Sequence, residues 1–296
     1  MPKRHILLSG LLPALLLAAC SSPSSTSPAG PAAGTSAASA ASAPAPAPVA
    51  SAPAAAATAA ATPAASASAP AAAATTAATP PPVAPPADTG RWVEGKNYFR
   101  IEPAQPTDDP SRVVVTEVFS FACPACNHFE PIMDKIAASL PPYAKVEYLP
   151  AGFIPTEDWP AFQRAYFAAQ ALGIDARSHD AMFDAVWKTG ELATDNLVTG
   201  QLKSKMPSLE QIAGFYAKYG VKPADFVATA NSFAVSTKIR RADQTIQAMG
   251  VVGTPTLVID GKYRLDVASA GGYPQTIELV QWLVQREGAK LGAARK

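Results

Sequence analysis

Charged and aromatic side chains are almost absent from the first third of the chain. No Asp, Glu, Lys or Arg occurs between His5 and Asp88, and no Phe, Tyr or Trp precedes Trp92. Residues 21–87 hold 14 of the 30 prolines and are otherwise almost entirely Ala, Ser and Thr. A segment without aromatic residues or a sustained apolar face cannot bury enough surface to fold. The folded part is therefore confined to roughly the last 200 residues, which is enough for one core.

A strong excess of either charge is also missing, as are long apolar stretches beyond the start of the chain. The 24 Lys and Arg residues nearly balance the 23 Asp and Glu residues, giving a formal net charge of +1. This balance provides no electrostatic reason to expect nucleic acid as a partner. After residue 20, no stretch is apolar for long enough to cross a bilayer.

Residues 1–20 have the pattern of an export signal, with a basic start and an apolar stretch too short for a spanning helix. The stretch ends in Leu-Ala-Ala-Cys20, which resembles the lipobox of bacterial lipoproteins. The resemblance implies a signal peptide at 1–19 and lipidation of Cys20, which would anchor the protein to a bacterial membrane. Ser21, where aspartate would favour the inner membrane, points to the outer membrane. An ordinary cleaved signal with an incidental cysteine is the alternative.

The tract of Ala, Pro, Ser and Thr predicts a disordered tether, which together with the lipidated cysteine is assigned to residues 20–88. Its alanine runs favour helix locally, but prolines recur too often for a helix to persist. The same composition is typical of segments that carry sugars on Ser and Thr, and composition alone does not decide this point.

From Arg91 onward the sequence has the patterns of regular structure. Strands and a final helix flank about ninety residues of helical pattern, which predicts an α/β fold interrupted by an α-helical insertion. The corresponding parts are residues 89–155, the insertion 156–247, and residues 248–296. The predicted strands are Tyr98–Ile101, Arg112–Phe121, Val146–Leu149, Thr256–Asp260 and Lys262–Leu265, and the predicted helices include Ala161–Leu172, one from the Ser208 capping box to Gly220, a stripe from Val235 to Met249, and Gln275–Arg286.

One short segment, Cys123-Pro124-Ala125-Cys126, carries reactive side chains directly after a buried strand and at the start of a helix. Unpaired backbone N–H groups and the helix dipole stabilise negative charge at such a position. Pro124 fits the first helical position, where its missing N–H costs nothing. We therefore expect Cys123 to be the attacked sulfur with a lowered pKa, and Cys126 to be the buried resolving thiol.

Two other interpretations of the cysteine pair compete with redox catalysis. A zinc site would need His128 and His179 as its remaining ligands, because no second cysteine pair exists. A structural disulfide across so short a loop would stabilise the fold by only about 2 kcal/mol. The order strand, Cys-x-x-Cys, helix favours a redox-active pair over both.

Two separate motifs resemble the thioredoxin-fold thiol–disulfide oxidases of the DsbA type. Residues 117–126, Glu-Val-Phe-Ser-Phe-Ala-Cys-Pro-Ala-Cys, followed by Phe129-Glu130, resemble the active-site segment of that family. Residues 250–256, Gly-Val-Val-Gly-Thr-Pro-Thr, with the hairpin after them, resemble its cis-proline loop. The resemblance covers about residues 91–290 and implies a thioredoxin-like fold with a helical insertion.

The resemblance also implies the role of each site residue. A cis bond at Thr254–Pro255 would hold the Thr254 backbone beside Cys123, where it could pair with an extended substrate segment. A trans proline that starts a strand is the alternative. The cysteine pair itself would carry the electrons, so that neither a metal nor a separate cofactor is expected.

Glu117 is the third predicted catalytic residue. Strand alternation places it on one face with Val115 and Phe119, so that its carboxylate would lie in apolar surroundings with a raised pKa. The resemblance matches Glu117 to the family's buried acid, a proton acceptor for Cys126. An exposed glutamate, or one paired with Lys145, is the alternative.

Ala125 departs from the family pattern, because many oxidases of this type carry histidine between the two cysteines. His128 lies beyond Cys126 on the helix, where it is expected to be an ordinary helix residue. Without a histidine donor, Cys123 loses part of its thiolate stabilisation, and we predict a weaker oxidant than the histidine-bearing members.

The resemblance implies a lipid-anchored periplasmic oxidase that introduces disulfides into exported proteins. Its implied partners are reduced exported proteins as substrates and a DsbB-type, quinone-linked membrane protein as reoxidant, and we expect a monomer. A reductase or isomerase on the same fold is the nearest alternative. Thr254 before the proline favours this alternative, because the same residue is found in isomerase-type relatives. Against an isomerase, no folded segment is expected before Arg91 to form the dimerisation domain that those enzymes use. An anchored binding or chaperone module with an idle disulfide is the alternative from another class.

Overall fold

The computed structural model describes residues 83–294, so the predicted signal peptide, Cys20 and most of the Pro-rich tract lie outside the described residues. Five strands and eight α-helices follow one another in this part. They are β1 Phe99–Arg100, β2 Val113–Phe119, α1 Pro124–Ser139, β3 Ala144–Pro150, α2 Trp159–Ala171, α3 Asp175–Trp187, α4 Leu209–Tyr216, α5 Pro223–Ala230, α6 Phe233–Ala248, β4 Thr256–Ile259, β5 Tyr263–Leu265, α7 Val267–Ala270 and α8 Tyr273–Ala294.

The strands form one mixed sheet in the order β1-β5-β4-β2-β3. Strand β2 pairs in parallel with β3 and antiparallel with β4, and the β4–β5 and β5–β1 pairs are antiparallel. The apolar pattern of β2 is explained by this central place, since six of its seven residues are buried. The carboxyl end of β2 leads directly into α1, which places the Cys-x-x-Cys segment at that edge of the sheet.

Helices cover both faces of the sheet. Helices α1 and α8 pack on one face, where Met133 and Leu283 belong to the same buried cluster as Val115 of β2. On the other face, Ile246 of α6 packs against Val118 and Val258. The order of layers is the arrangement expected for an α/β sheet domain.

The block α2–α6 between β3 and β4 forms the predicted helical insertion, with its own buried cluster. Phe119 and Phe121 belong to this cluster together with Cys123 and Cys126, so the insertion packs directly on the redox segment. The indole N–H of Trp187, at the end of α3, also donates a 2.8 Å hydrogen bond to the carbonyl oxygen of Phe121. The insertion therefore helps to position the segment that carries the cysteines.

Local signals located several boundaries correctly. The Ser208 hydroxyl accepts from the backbone N–H of Gln211, and the Gln211 side chain accepts from the Ser208 N–H, as the capping-box pattern predicts. Helix α4 continues as a 3₁₀ turn that ends at Gly220, which has a φ of 85°. Strand β1 is shorter than the predicted Tyr98–Ile101, because only two of its residues pair with β5.

Residues 83–88 belong to the segment that the sequence assigns to the tether, yet they contact α8. The carbonyl oxygens of Ala84 and Ala87 accept hydrogen bonds from side chains of that helix. Proline-rich backbone makes no internal hydrogen bonds, so its carbonyl groups are available to such donors. Among the described residues, no helix combines the length and apolar character needed to cross a bilayer.

Candidate active site

Cys123 is the N-cap residue of α1, and Pro124 occupies the first helical position as predicted. The Cys123 sulfur accepts a 3.4 Å hydrogen bond from the backbone N–H of Cys126, one of the N–H groups that a helix start leaves unpaired. Both cysteines are free thiols. Cys123 is 4% exposed and Cys126 is fully buried, so Cys123 is the more accessible of the two.

The surroundings move the pKa values of the two thiols in opposite directions. The pKa of Cys123 is lowered to about 6, chiefly by a hydrogen bond from the Cys126 side chain and against an opposing effect of burial. Thr254 and the backbone N–H groups of Cys126 and Ala125 lower it further. Burial raises the pKa of Cys126 well above its usual value, and the charges of Cys123 and Glu117 add to that rise. At neutral pH the reduced pair therefore consists of a Cys123 thiolate and a Cys126 thiol.

A loop that precedes β4 reaches this pair from far along the chain. The Thr254–Pro255 peptide bond is cis. The Cys123 sulfur lies 3.6 Å from the carbonyl oxygen of Thr254, across a separation of 131 residues. On the same loop, Val252 is 93% exposed. The helix start and the cis-proline loop thus meet as the sequence motifs predict.

Glu117 is buried on β2, and it lies between Tyr148 of β3 and Leu257 of β4 in the sheet register. Neither carboxylate oxygen has a hydrogen-bond partner in the part of the chain that the structure describes. Burial raises the pKa of Glu117 well above its ordinary value, and the charges of Glu130 and Cys123 raise it further. This carboxyl can therefore hold a proton, and its charge acts on the buried Cys126 thiol, whose pKa it raises.

The alternative pairing of Glu117 with Lys145 is wrong. Lys145 forms an ion pair with Glu147 and lies 4.0 Å from Asp109. In the parallel register Lys145 is aligned with Val114, whereas Glu117 is aligned with Tyr148, three residues further along. The two side chains are thus too far apart along the sheet to pair.

Glu130 and His179 extend the buried acid site. The sequence analysis did not predict that either residue would lie there. Glu130 lies on α1 four residues after Cys126, and its Oε1 is 3.5 Å from Nε2 of His179 on α3. The centroid of the His179 ring lies 4.1 Å from that of the Tyr148 ring, and Tyr148 is aligned with Glu117 in the sheet register. The spacing of four from Cys126 is a signal that could have identified Glu130. No local pattern connects Glu130 with a histidine 49 residues away.

The residues of the zinc alternative do not converge on the cysteines. His128 is exposed on α1, and His179 is buried beside Glu130. Between residues 83 and 294, no three His, Cys, Asp or Glu side chains are arranged to hold a metal ion. Ala125, which occupies the place of the family's histidine, is exposed next to the buried Cys126.

Comparison with known proteins identifies relatives for the whole folded part. The family model described as the DSBA-like thioredoxin domain matches residues 114–275. The thiol:disulfide interchange protein DsbA of Pseudomonas aeruginosa is 31% identical over 210 residues, which cover 71% of this chain and 91% of the relative. The protein of the same name from Pseudomonas syringae pv. tomato is 32% identical over 201 residues, covering 68% of this chain and 87% of the relative.

Solved structures agree with the sequence relatives. The crystal structure of Pseudomonas aeruginosa DsbA superposes with a TM-score of 0.58 at 30% identity, covering 70% of this chain and 99% of that chain. The oxidoreductase DsbA from Xylella fastidiosa superposes with a TM-score of 0.58 at 32% identity, covering 67% and 98%. The motifs, the sheet with its helical insertion and these comparisons establish that the chain belongs to the DSBA-like thioredoxin family and is a protein thiol–disulfide oxidoreductase of the DsbA type.

Proposed function

We propose that the protein is an oxidase that transfers the Cys123–Cys126 disulfide to reduced exported proteins. The observation that carries the proposal is the opposite displacement of the two thiol pKa values, with Cys123 lowered to about 6 and Cys126 raised. A stabilised Cys123 thiolate favours the reduced form of the pair, and this makes the corresponding disulfide a stronger oxidant.

The transfer proceeds in two exchange steps. A substrate thiolate attacks the Cys123 sulfur, the bond between Cys123 and Cys126 breaks, and Cys126 leaves as a thiolate. The protonated Glu117 carboxyl gives its proton to this buried sulfur. A second substrate thiolate then attacks the substrate sulfur of the mixed disulfide and releases Cys123 as its stabilised thiolate. The substrate loses two electrons to the cysteine pair, so the reaction needs no further cofactor.

The cis-proline loop supplies the place where the substrate binds. The Thr254 carbonyl lies beside the Cys123 sulfur, and the preceding loop presents the exposed Val252 side chain. An extended segment around the substrate cysteine would pair with the backbone at Thr254, as a strand pairs with a sheet edge. An apolar residue in that segment would contact Val252.

The family supports a proposal for reoxidation, and the start of the sequence supports one for location. Electrons leave the pair through a DsbB-type, quinone-linked membrane protein, for which Glu117 takes the Cys126 proton back. With export by residues 1–19 and lipidation at Cys20, the protein would act in the periplasm as a monomer anchored to the outer membrane.

The direction of the reaction is tested with two substrates. A reduced, unfolded protein should gain disulfides at a rate that depends on Cys123, and Cys123→Ala should abolish this gain. A substrate with scrambled disulfides should be rearranged slowly. Fast rearrangement together with weak oxidation would assign an isomerase, and a phenotype unchanged by Cys123→Ala would assign a binding or chaperone module with an idle disulfide.

A further inference from the structure

The end of the Pro-rich tract is held on helix α8 by hydrogen bonds to its backbone. The side-chain amide of Gln285 donates to the carbonyl oxygen of Ala84 over 3.1 Å. The indole N–H of Trp282 donates to the carbonyl oxygen of Ala87 over 3.3 Å. Both hydrogen bonds are accepted by backbone carbonyl groups of the tract. They therefore depend on the conformation of the tract and not on the identity of its side chains.

Further contacts lie beyond each end of this pair. Toward β1, Arg91 forms an ion pair with Glu278. At the other end, a Cβ atom on Gly292 would lie 3.9 Å from the backbone nitrogen of Val83. The tract residues rise from 83 to 91 while their α8 partners fall from 292 to 278, so the segment runs antiparallel to the helix.

The tract side of the contact has a period of three residues. The carbonyl acceptors belong to Ala84 and Ala87, and the half-buried residues are Val83 and Pro86. A polyproline II helix has three residues per turn and no internal hydrogen bonds, so every third residue presents the same side and every carbonyl can accept. The sequence Pro85-Pro86 favours this conformation.

The helix side of the contact is one face of α8, formed by Glu278, Trp282, Gln285 and Gly292. The spacing of these residues is i, i+4, i+7 and i+14, which places them in one row along an α-helix. The row offers an acid for Arg91, two N–H donors for carbonyl groups, and Gly292 beside the backbone of Val83. We call this row the docking face.

We propose that the docking face is a recognition surface for a polyproline II segment, and that its occupant is the end of this chain's own Pro-rich tract, residues 83–88, which ends where Gly90 takes a positive φ of 72°. An indole N–H and a side-chain amide that bind carbonyl groups of an extended proline segment are the chemistry by which such segments are recognised in general. The Arg91–Glu278 ion pair fixes the register at which the tract lies on the helix.

The docking changes where a tether would leave the folded domain. In the proposed function a tether joins the redox domain to a lipid anchor, and this consequence rests on that function. With residues 83–88 docked, the tether leaves beside Gly292 in the last turns of α8, not at β1. Five steps of polyproline II from residue 83 to residue 88, at ~3.1 Å each, keep about 16 Å of chain on the domain surface.

Limited proteolysis of the full-length chain tests the docking from the helix side. Elastase cleaves after alanine, and we expect the Ala87–Asp88 bond to be cut at least about tenfold faster in Trp282→Phe/Gln285→Ala than in the natural chain. Gln275→Ala, the same amide removed elsewhere on α8, should leave the rate unchanged. Equal rates at Ala87–Asp88 in the natural chain and the double variant would overturn the proposal.

A change in the tract tests the docking without altering the folded domain. The chain has only four tryptophans, so the indole N–H signal of Trp282 can be resolved and followed by NMR. Its exchange with solvent should be several-fold faster in Pro85→Gly/Pro86→Gly, whereas Pro70→Gly should have no effect. Unchanged exchange in the first variant would contradict the proposal. The redox equilibrium with glutathione should be the same in all these chains, so a failure of the oxidase function would be detected separately.

Discussion

At the scale of single residues, the chemistry depends on the difference between two thiols three positions apart. Cys123 sits where helix N–H groups point at its sulfur, and Cys126 lies one turn inward beside a buried acid. The same helix start therefore stabilises the charge of one sulfur, and burial opposes the charge of the other. The pair is asymmetric because of its place on α1.

Alkylation of the reduced protein should reveal the Cys123 thiolate. The rate of reaction with iodoacetamide should rise with pH around a midpoint of about 6, because the pKa of Cys123 is lowered to that value. Cys126 should not react over the same range. Cys123→Ser is the control, and a midpoint near the ordinary thiol pKa would contradict the assignment.

The stability of the reduced form should follow the same group. Cys123 ionises near pH 6 in the folded state and near its ordinary value when unfolded. Its contribution is therefore fully present above the ordinary thiol pKa, and it is lost as the pH falls through about 6. Urea unfolding of the reduced protein should show this decline relative to Cys123→Ser. Parallel curves for the two proteins would show that the thiolate is not stabilised by folding.

Glu117→Gln should stabilise the protein at neutral pH. The folded-state pKa of Glu117 is raised, so the natural chain loses stability as the pH rises above the ordinary carboxyl pKa, and the amide does not. We expect the free energy of unfolding to increase by about 1–3 kcal/mol near neutral pH, with a smaller gain near about pH 4. Glu147→Gln, which removes a carboxylate paired with Lys145, is the control without this gain. A loss of stability at neutral pH would mean that Glu117 has a favourable partner.

Ala125→His should make the disulfide more oxidising. Ala125 is exposed beside the cysteines, and a histidine there would add a donor for the Cys123 thiolate. Each 1.4 kcal/mol of added stabilisation corresponds to about 30 mV in the redox equilibrium with glutathione. His128→Ala, also exposed but beyond Cys126, should leave the equilibrium unchanged. No shift in Ala125→His would show that histidine at this position does not control the potential.

At the scale of secondary structure elements, the strength of the local pattern decides what the sequence predicts. Strand β2 is apolar on both faces, and the Ser208 capping box consists of hydrogen bonds between residues three apart at the start of α4. Both patterns are local, so both elements were predictable. The separate helices α3 and α5 were not predicted, because the helical block has few breaks that distinguish one short helix from the next.

The contacts between elements set the limit of prediction for the site. The meeting of Cys123 with Thr254 was predicted only because two motifs share one family. The Glu130–His179 pair was missed, because α1 and α3 come together through packing and not through any repeat in the sequence. Strand alternation correctly placed Glu117 in the interior, but only the register of β2 and β3 excludes Lys145 as its partner.

The contact between the insertion and the redox segment can be tested at Trp187. Trp187→Phe keeps an aromatic ring but removes the N–H that binds the Phe121 carbonyl. We expect the free energy of unfolding to fall by about 1–2 kcal/mol, since a carbonyl loses its partner. Trp159→Phe removes an indole hydrogen bond to Glu157 instead and should cost less, because the half-exposed Glu157 carboxylate can bind water in its place. An equal loss of unfolding free energy in both variants would mean that the Trp187 hydrogen bond stabilises the fold no more than the Trp159 bond does.

At the scale of the whole molecule, the sequence predicts an export signal and a tether before the redox domain. The domain is established by its fold and relatives, whereas the lipid on Cys20 stays a prediction from the sequence. Cys20→Ala should leave the protein in the soluble periplasmic fraction, while disulfide formation in a reduced substrate proceeds at the natural rate. Membrane fractionation together with that assay checks the prediction. A variant that stays membrane-bound would show that something other than the Cys20 lipid anchors the chain.

The two halves of the redox centre are contributed by segments 131 residues apart, with Thr254 beside Cys123. If the predicted signal peptide directs export from the N-terminus, the cysteines leave the export machinery before β4 and β5 do. Such a partly exported chain would lack the cis-proline loop that receives another protein and the β4 strand that lies beside Glu117. Because contacts of such long range slow folding, an enzyme exported in this way would become competent to exchange disulfides only after its own translocation is complete.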